Sequence, residues 1–190
     1  MENRNPTSRN YESVVFHRSI RPILALWSSW SRYLRDSLHF IDARRVAVWG
    51  RAHGGFLAAL ALASSLDVFH CGVAIAPIVR WRHVLVHEFV SIYYALAGGV
   101  VTERGDERTK RKREKEKASA YAERYMGLPN ATGNYRGYAE ADVTKQAAAL
   151  RDKTLLLVHG AADDVVHLQQ SMALARALAD QGAMFRQQAS

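Results

Sequence analysis

The sequence holds one cysteine, Cys71. A lone cysteine forms no internal disulfide, so it is either a buried apolar side chain or one whose partner is missing. No apolar run is long enough to cross a membrane. The longest, Phe89–Val101, has 13 residues where about 20 are needed, and it reads as a core helix or strand. Met1–Asn10 is polar and lacks the apolar stretch of a secretory signal, so it reads as a tail. The eight histidines are scattered and none sits in the His-Glu-x-x-His spacing of a zinc helix. No cluster of metal ligands, no cofactor motif and no internal repeat is present, so neither a metal nor a cofactor is expected.

What is present is a chain of 190 residues, 48% apolar, which is enough for one domain with a core. Its net charge of +8 is unevenly spread. Met1–Gly50 carries eight basic against four acidic side chains, and Glu103–Lys117 eight against five, so the remainder is close to neutral. The basicity belongs to two segments rather than to a face of the fold. The run Lys110–Lys117 interleaves glutamates and carries no aromatic residue, which argues against a nucleic-acid site.

Hydrophobic spacing supplies the architecture. Leu24, Trp27, Trp30, Leu34 and Leu38 recur every three or four residues, the pattern of one helix face, and core packing is the simplest use for it. Arg44–Trp49 reads as a short buried strand that Gly50 ends, Cys71–Ala76 as a second closed by Pro77, and Thr154–Val158 as a third stopped by Gly160. Phe56–Ser64 and His167–Gln181 read as helices. Strands that alternate with helices imply an α/β fold with a mostly parallel sheet and helices on both faces. Residues 1–33 are assigned to a tail and helix, and residues 34–190 to the domain. The segment 82–120 interrupts it, passing from an apolar stretch through Gly98-Gly99 into a mixed charge run. A segment of that length without its own place in the fold reads as an insertion, either a lineage-specific surface loop or a translated intron.

The chemistry-bearing motif is Gly50-Arg51-Ala52-His53-Gly54-Gly55. A strand runs into Gly-x-x-x-Gly and then into a helix, the layout of a nucleophile elbow. Small residues flank the apex because the turn is tight, and the following helix N-terminus offers backbone N–H groups to an oxyanion. The apex here is Ala52, whose methyl group cannot attack a carbonyl. A second stretch, Val158-His159-Gly160-Ala161-Ala162-Asp163-Asp164, places Asp163 just after a later strand. That is where the acid of a nucleophile–acid–histidine order belongs, although a turn or N-cap aspartate would look the same.

Four stretches, FIDARRVAVWG…HGGF, VFHCGVAIAPIVRW, YAERYMGLP and LLLVHGAADDVVHLQQS, follow one another as they do in the dipeptidyl peptidase IV family. The chain resembles that family's catalytic region from about Leu34 to Gln181. The resemblance implies a partial α/β-hydrolase fold and an ancestral activity that releases N-terminal dipeptides ending in proline or alanine. It maps Ala52 onto the nucleophile, Asp163 onto the acid and the His53 backbone N–H onto an oxyanion donor. It maps Ile78, Trp81, Tyr121 and Val166 onto the proline pocket, and Val165 onto an asparagine that holds a substrate carbonyl. The catalytic histidine has no counterpart within the chain, nor does a second pocket tyrosine or the propeller that binds the substrate amine. Loss of serine and histidine from a triad costs on the order of a millionfold in turnover.

The resemblance also implies that Cys71 pairs with a cysteine beyond Ser190. It implies an extracellular setting, membrane-anchored or secreted, in which the sequon Asn130-Ala131-Thr132 would carry glycan. Two readings follow. One is a non-catalytic homologue that binds a partner, a channel-like membrane protein or a second copy of itself. The other is an active peptidase with a peptide substrate, of which this chain is an incomplete version.

Overall fold

The computed structural model describes residues 24–64, 67–84, 124, 126–127 and 134–190. Most of the segment 82–120, Tyr121 and Asn130 lie outside the described residues. Four strands, β1 (Ala47–Arg51), β2 (Cys71–Ile75), β3 (Thr154–His159) and β4 (Phe185–Ala189), form one parallel sheet in the order β1-β2-β3-β4. The register pairs Val48 with Gly72, Gly72 with Leu155 and Leu155 with Phe185. Sequence order equals spatial order, so each crossover steps the same way. With right-handed crossovers, the connecting elements then fall on one side of the sheet.

Those elements pack against one another accordingly. Helix α2 (His53–Ala63) links β1 to β2 and is apolar nearly all round, as a helix wedged against a sheet should be. A 3₁₀ helix, Val143–Leu150, lies against both α2 and the long helix Leu168–Asp180 and buries Val143, Ala147 and Leu150. That helix buries Leu174, Ala175 and Leu178 along one stripe. It ends in a Schellman turn: Ala183 N–H donates to Leu178 O and Gly182 N–H to Ala179 O, with Gly182 at φ +65°. Phe56, Leu62, Leu155, Leu157, Leu174 and Leu178 are all buried between helices and sheet. Each contributes about 1.5–3 kcal/mol of transfer free energy.

Alternation along the strands divides the two sheet faces. The rows Val48–Gly72–Leu155 and Gly50–Ala74–Leu157 are buried under the helices. The rows Trp49–Val73–Leu156 and Arg51–Ile75–Val158 face the other way and are half-buried or exposed, Trp49 at 72%. The first strand is therefore half-buried rather than buried, and it runs through Gly50 instead of ending there. Cys71 lies on the same open side as a free, half-buried thiol.

Two further features differ from the sequence reading. Helix α1 covers residues 24–37, so it spans the expected boundary between residues 33 and 34. Its aromatic stripe does not face the core. Trp27 and Trp30 are 57% and 59% exposed, while Ser28 is buried and Leu24 packs on the core. The helical period was legible, but the domain holds the narrow face of Leu24, Ser28, Ser31, Arg35 and Leu38. Strand β4 was not anticipated because its sequence, Phe-Arg-Gln-Gln-Ala, is polar and only Phe185 is partly buried. Among the described residues no helix is long and apolar enough to cross a membrane.

Candidate active site

In open parallel sheets, ligands bind beyond the carboxyl ends of the strands. All the described positions singled out in the sequence, apart from Cys71, gather at that end. Ala52 follows β1 directly, Ala76–Trp81 follows β2, and Asp163 follows β3. Strands lie about 4.8 Å apart, so the exits of β1 and β3 are separated by about 10 Å across the sheet.

Ala52 has φ +52° and ψ −113°. A residue with a Cβ in this region carries about 1–3 kcal/mol of strain, which the surroundings must hold. They do so through three backbone bonds. Ala52 N–H donates to Ile75 O at 2.9 Å, and Ala52 O accepts from Phe56 N–H at 3.1 Å and Ile78 N–H at 3.2 Å. Gly50 is the tightest point: a Cβ there would stand 2.3 Å from both the carbonyl carbon and oxygen of Gly54. Helix α2 then starts without a side-chain cap and without an acidic residue in its first turn. The positive end of its dipole therefore faces the apex with no acidic side chain of that turn to neutralise it. The strand–turn–helix is held tightly by its backbone, with a methyl group at its tip.

The loop after β3 is pinned from two sides. Asp163 Oδ1 accepts from Val165 N–H at 3.0 Å and from Val166 N–H at 2.9 Å, so the carboxylate closes its own turn. His159 is buried at the end of β3. Its Nε2 lies 2.6 Å from Val166 O and its Nδ1 2.6 Å from Ser171 Oγ. A carbonyl only accepts, so Nε2 carries a proton and donates it to Val166 O, while Nδ1 and the Ser171 hydroxyl share the second bond. His159 thus ties the loop back to the long helix. Sequence reading gave it no role, and both its ring nitrogens are engaged in holding the loop. Val166 is buried beside it, whereas Val165 is 39% exposed.

Of the residues mapped onto the proline pocket, the described ones, Ile78, Trp81 and Val166, are buried. His53 meets the Trp81 ring edge-on at 5.0 Å between centroids. Phe56 packs on Trp81 from a second direction at 5.4 Å. Burial lowers the His53 pKa below the usual histidine value, which keeps the ring neutral inside this aromatic group. Sequence reading placed only the His53 backbone in the site, and the structure adds its side chain.

A second unanticipated residue is Gln170, in the first turn of the long helix. Its buried side-chain carbonyl accepts from Val79 N–H at 3.0 Å and Arg80 N–H at 2.7 Å, and its amide donates to Arg80 O at 3.0 Å. This clamp fixes the segment that carries Ile78 and Trp81 to the helix behind Asp163. Among the described residues no group of three His, Cys, Asp or Glu is arranged to hold a metal ion.

The model of the prolyl oligopeptidase family matches residues 28–111 and 98–190. The chain is 36% identical over 159 residues to venom dipeptidyl peptidase 4 of Apis mellifera, covering 83% of this chain and 16% of that protein. It is 37% identical over 139 residues to human prolyl endopeptidase FAP, covering 73% of this chain and 14% of the relative. The chain thus spans about a sixth of the length of these relatives. Among solved structures, dipeptidyl peptidase 4 of Porphyromonas gingivalis superposes with a TM-score of 0.63 at 26% identity, over 87% of this chain and 18% of that one. An acylaminoacyl peptidase of Pyrococcus horikoshii, 18% identical, shares the fold with a TM-score of 0.64 over 93% of this chain and 24% of its own.

Proposed function

Because the chain belongs to the prolyl oligopeptidase family, we propose that it is a non-catalytic homologue of the dipeptidyl peptidase 4 catalytic region that acts by binding. The observation that carries this reading is Ala52 at the apex of an intact, strained elbow. The backbone still holds the shape that presents a nucleophile, yet the side chain has no atom to donate an electron pair. Closure of the pocket wall by His53 and Trp81 points the same way, since a proline ring would have to displace packed aromatic groups. In this reading Asp163 retains the turn that once positioned an acid, and Val165 has lost the polar anchor for a substrate carbonyl.

A protein partner therefore suits the chain better than a peptide substrate. A membrane protein of the channel class and a second copy of the chain are the partners implied by the resemblance. An extracellular setting with glycan on Asn130 belongs to the same reading. The test is direct. The chain and its Ala52→Ser variant are assayed for release of Gly-Pro from a chromogenic dipeptide and for labelling by a fluorophosphonate. Neither protein is expected to turn over or label. Turnover by the native chain, or robust turnover after the single change, would overturn the proposal and favour the reading as an active peptidase.

A further inference from the structure

A cavity of about 250 Å³ is lined by the turn after β2, the short helix Tyr135–Glu140 and the start of the 3₁₀ helix. Arg80, Arg82 and Lys145 line it, with His83 and Tyr135 between them, and Asp142 is its only carboxylate among the described residues. Both oxygens of Asp142 are already engaged. Oδ1 accepts from the Thr144 N–H at 3.0 Å and from its hydroxyl at 2.5 Å, and Oδ2 pairs with Arg80 Nε at 3.2 Å. Arg82 and Lys145 have no carboxylate partner among the described residues.

These cations are held in place. The Gln170 clamp fixes the Arg80 backbone on both its N–H and its C=O. The Arg82 guanidinium sits 4.8 Å from the centroid of the Tyr135 ring. Lys145 Nζ donates one of its three N–H bonds to Ala139 O at 2.7 Å, and two stay available. Holding three positive groups around one recess is unfavourable in itself and focuses a positive potential into it. Burial, and then the Arg80 charge, hold the His83 imidazole below its ordinary pKa. A second charge inside is what these groups lack.

We propose that this cavity binds a compact oxyanion carrying at least two negative charges, a phosphate or a small polycarboxylate. Planar guanidinium groups match such oxygens in pairs, and the ammonium adds a point charge. The volume lies below the roughly 300–1,000 Å³ of sites for drug-sized ligands, which excludes a peptide chain and favours a small ion. The proposal is independent of the elbow and of the fate of Ala52.

The experiment is calorimetric titration of the whole chain with inorganic phosphate and, separately, citrate, each at constant ionic strength in chloride. Saturable binding is expected with a dissociation constant of about 1 mM or tighter. Arg82→Gln and Lys145→Gln are each expected to weaken it about tenfold or more while leaving the melting temperature of the free protein unchanged. Arg136→Gln serves as the control, because Arg136 pairs with Glu140 and does not line the cavity. The NMR titration of His83 should move to higher pH when the site fills. Binding of only one of the two ions identifies the chemical source and supports the site. Absence of saturable binding for both ions overturns the proposal. So does binding that survives both cavity substitutions, or an equal loss in Arg136→Gln.

Discussion

One methyl group added at Gly50 would fall 2.3 Å from two backbone atoms of Gly54 and 2.9 Å from a third. None of these is the end of a side chain that can swing aside. Relief requires the strand to move away from helix α2, which would strain the three hydrogen bonds around Ala52. Overpacking in a tight core costs about 1–3 kcal/mol, and displaced backbone adds to it, so Gly50→Ala should lose at least about 3 kcal/mol. Gly54→Ala is the matched comparison. A Cβ on Gly54 meets nothing within 4 Å, and the residue is helical. The same methyl there should be neutral or stabilising by up to about 1 kcal/mol. Urea unfolding separates the two. With a slope of about 2–3 kcal/mol/M, Gly50→Ala should shift the midpoint down by about 1 M or more while Gly54→Ala leaves it or raises it. Equal midpoints for the two variants would show that the elbow is not closed in the way its backbone distances require.

Other expectations follow from the same geometry. Gln170→Ala strands a buried N–H on Val79 and a half-buried N–H and carbonyl on Arg80 and should cost about 2–4 kcal/mol, read by the same unfolding assay; a loss under about 1 kcal/mol would mean that water replaces the clamp. The His53 pKa is lower in the folded than in the unfolded chain, so below about pH 6.5 the unfolded state binds more protons. Stability from this site is present above that pH and is lost as pH falls, and His53→Phe should flatten the decline in melting temperature between about pH 7.5 and 5.5. His83 shifts in the same direction, so part of the decline should remain. Trp30→Ser, on the exposed stripe of α1, should change stability by no more than about 0.5 kcal/mol; a core-sized loss would restore the sequence expectation that this face is buried.

Much of the architecture was legible because it rests on local signals. Apolar runs closed by Pro77 and Gly160 marked β2 and β3, glycines marked the elbow, and a run of Ala and Leu marked α2. The orientation of α1 was not, because a helical period says that a face exists and not which neighbour takes it. Strand β4 lacked an alternating pattern, since its place is set by register with β3 rather than by burial. Within the site, Ala52 and Asp163 stood out through spacing. The Gln170 clamp joins residues ninety positions apart, and the bonds of His159 combine a strand end, a loop carbonyl and a helix hydroxyl. A glutamine or a buried histidine carries no local mark of such a role. The cavity lined by Arg80, Arg82 and Lys145 was hidden for a similar reason: its cations come from two distant stretches, and local charge counts called this part of the chain neutral.

The sheet order also sets a timetable. β1 and β2 pair across 24 residues, Ala47 to Cys71, and β3 and β4 across 30, Leu155 to Phe185. Between these halves, β2 meets β3 across 83 residues, Cys71 to Thr154. Closing the longer loop costs about 1 kcal/mol more in chain entropy than closing either short one. Each half can therefore form early as a strand–helix–strand unit, while the seam between them closes last. Until it does, the bare edge of β2 is open to other chains, and during synthesis it waits there for the time it takes to make 83 more residues. For a chain of this topology, the hazard lies less in the finished fold than in the interval before its middle is joined.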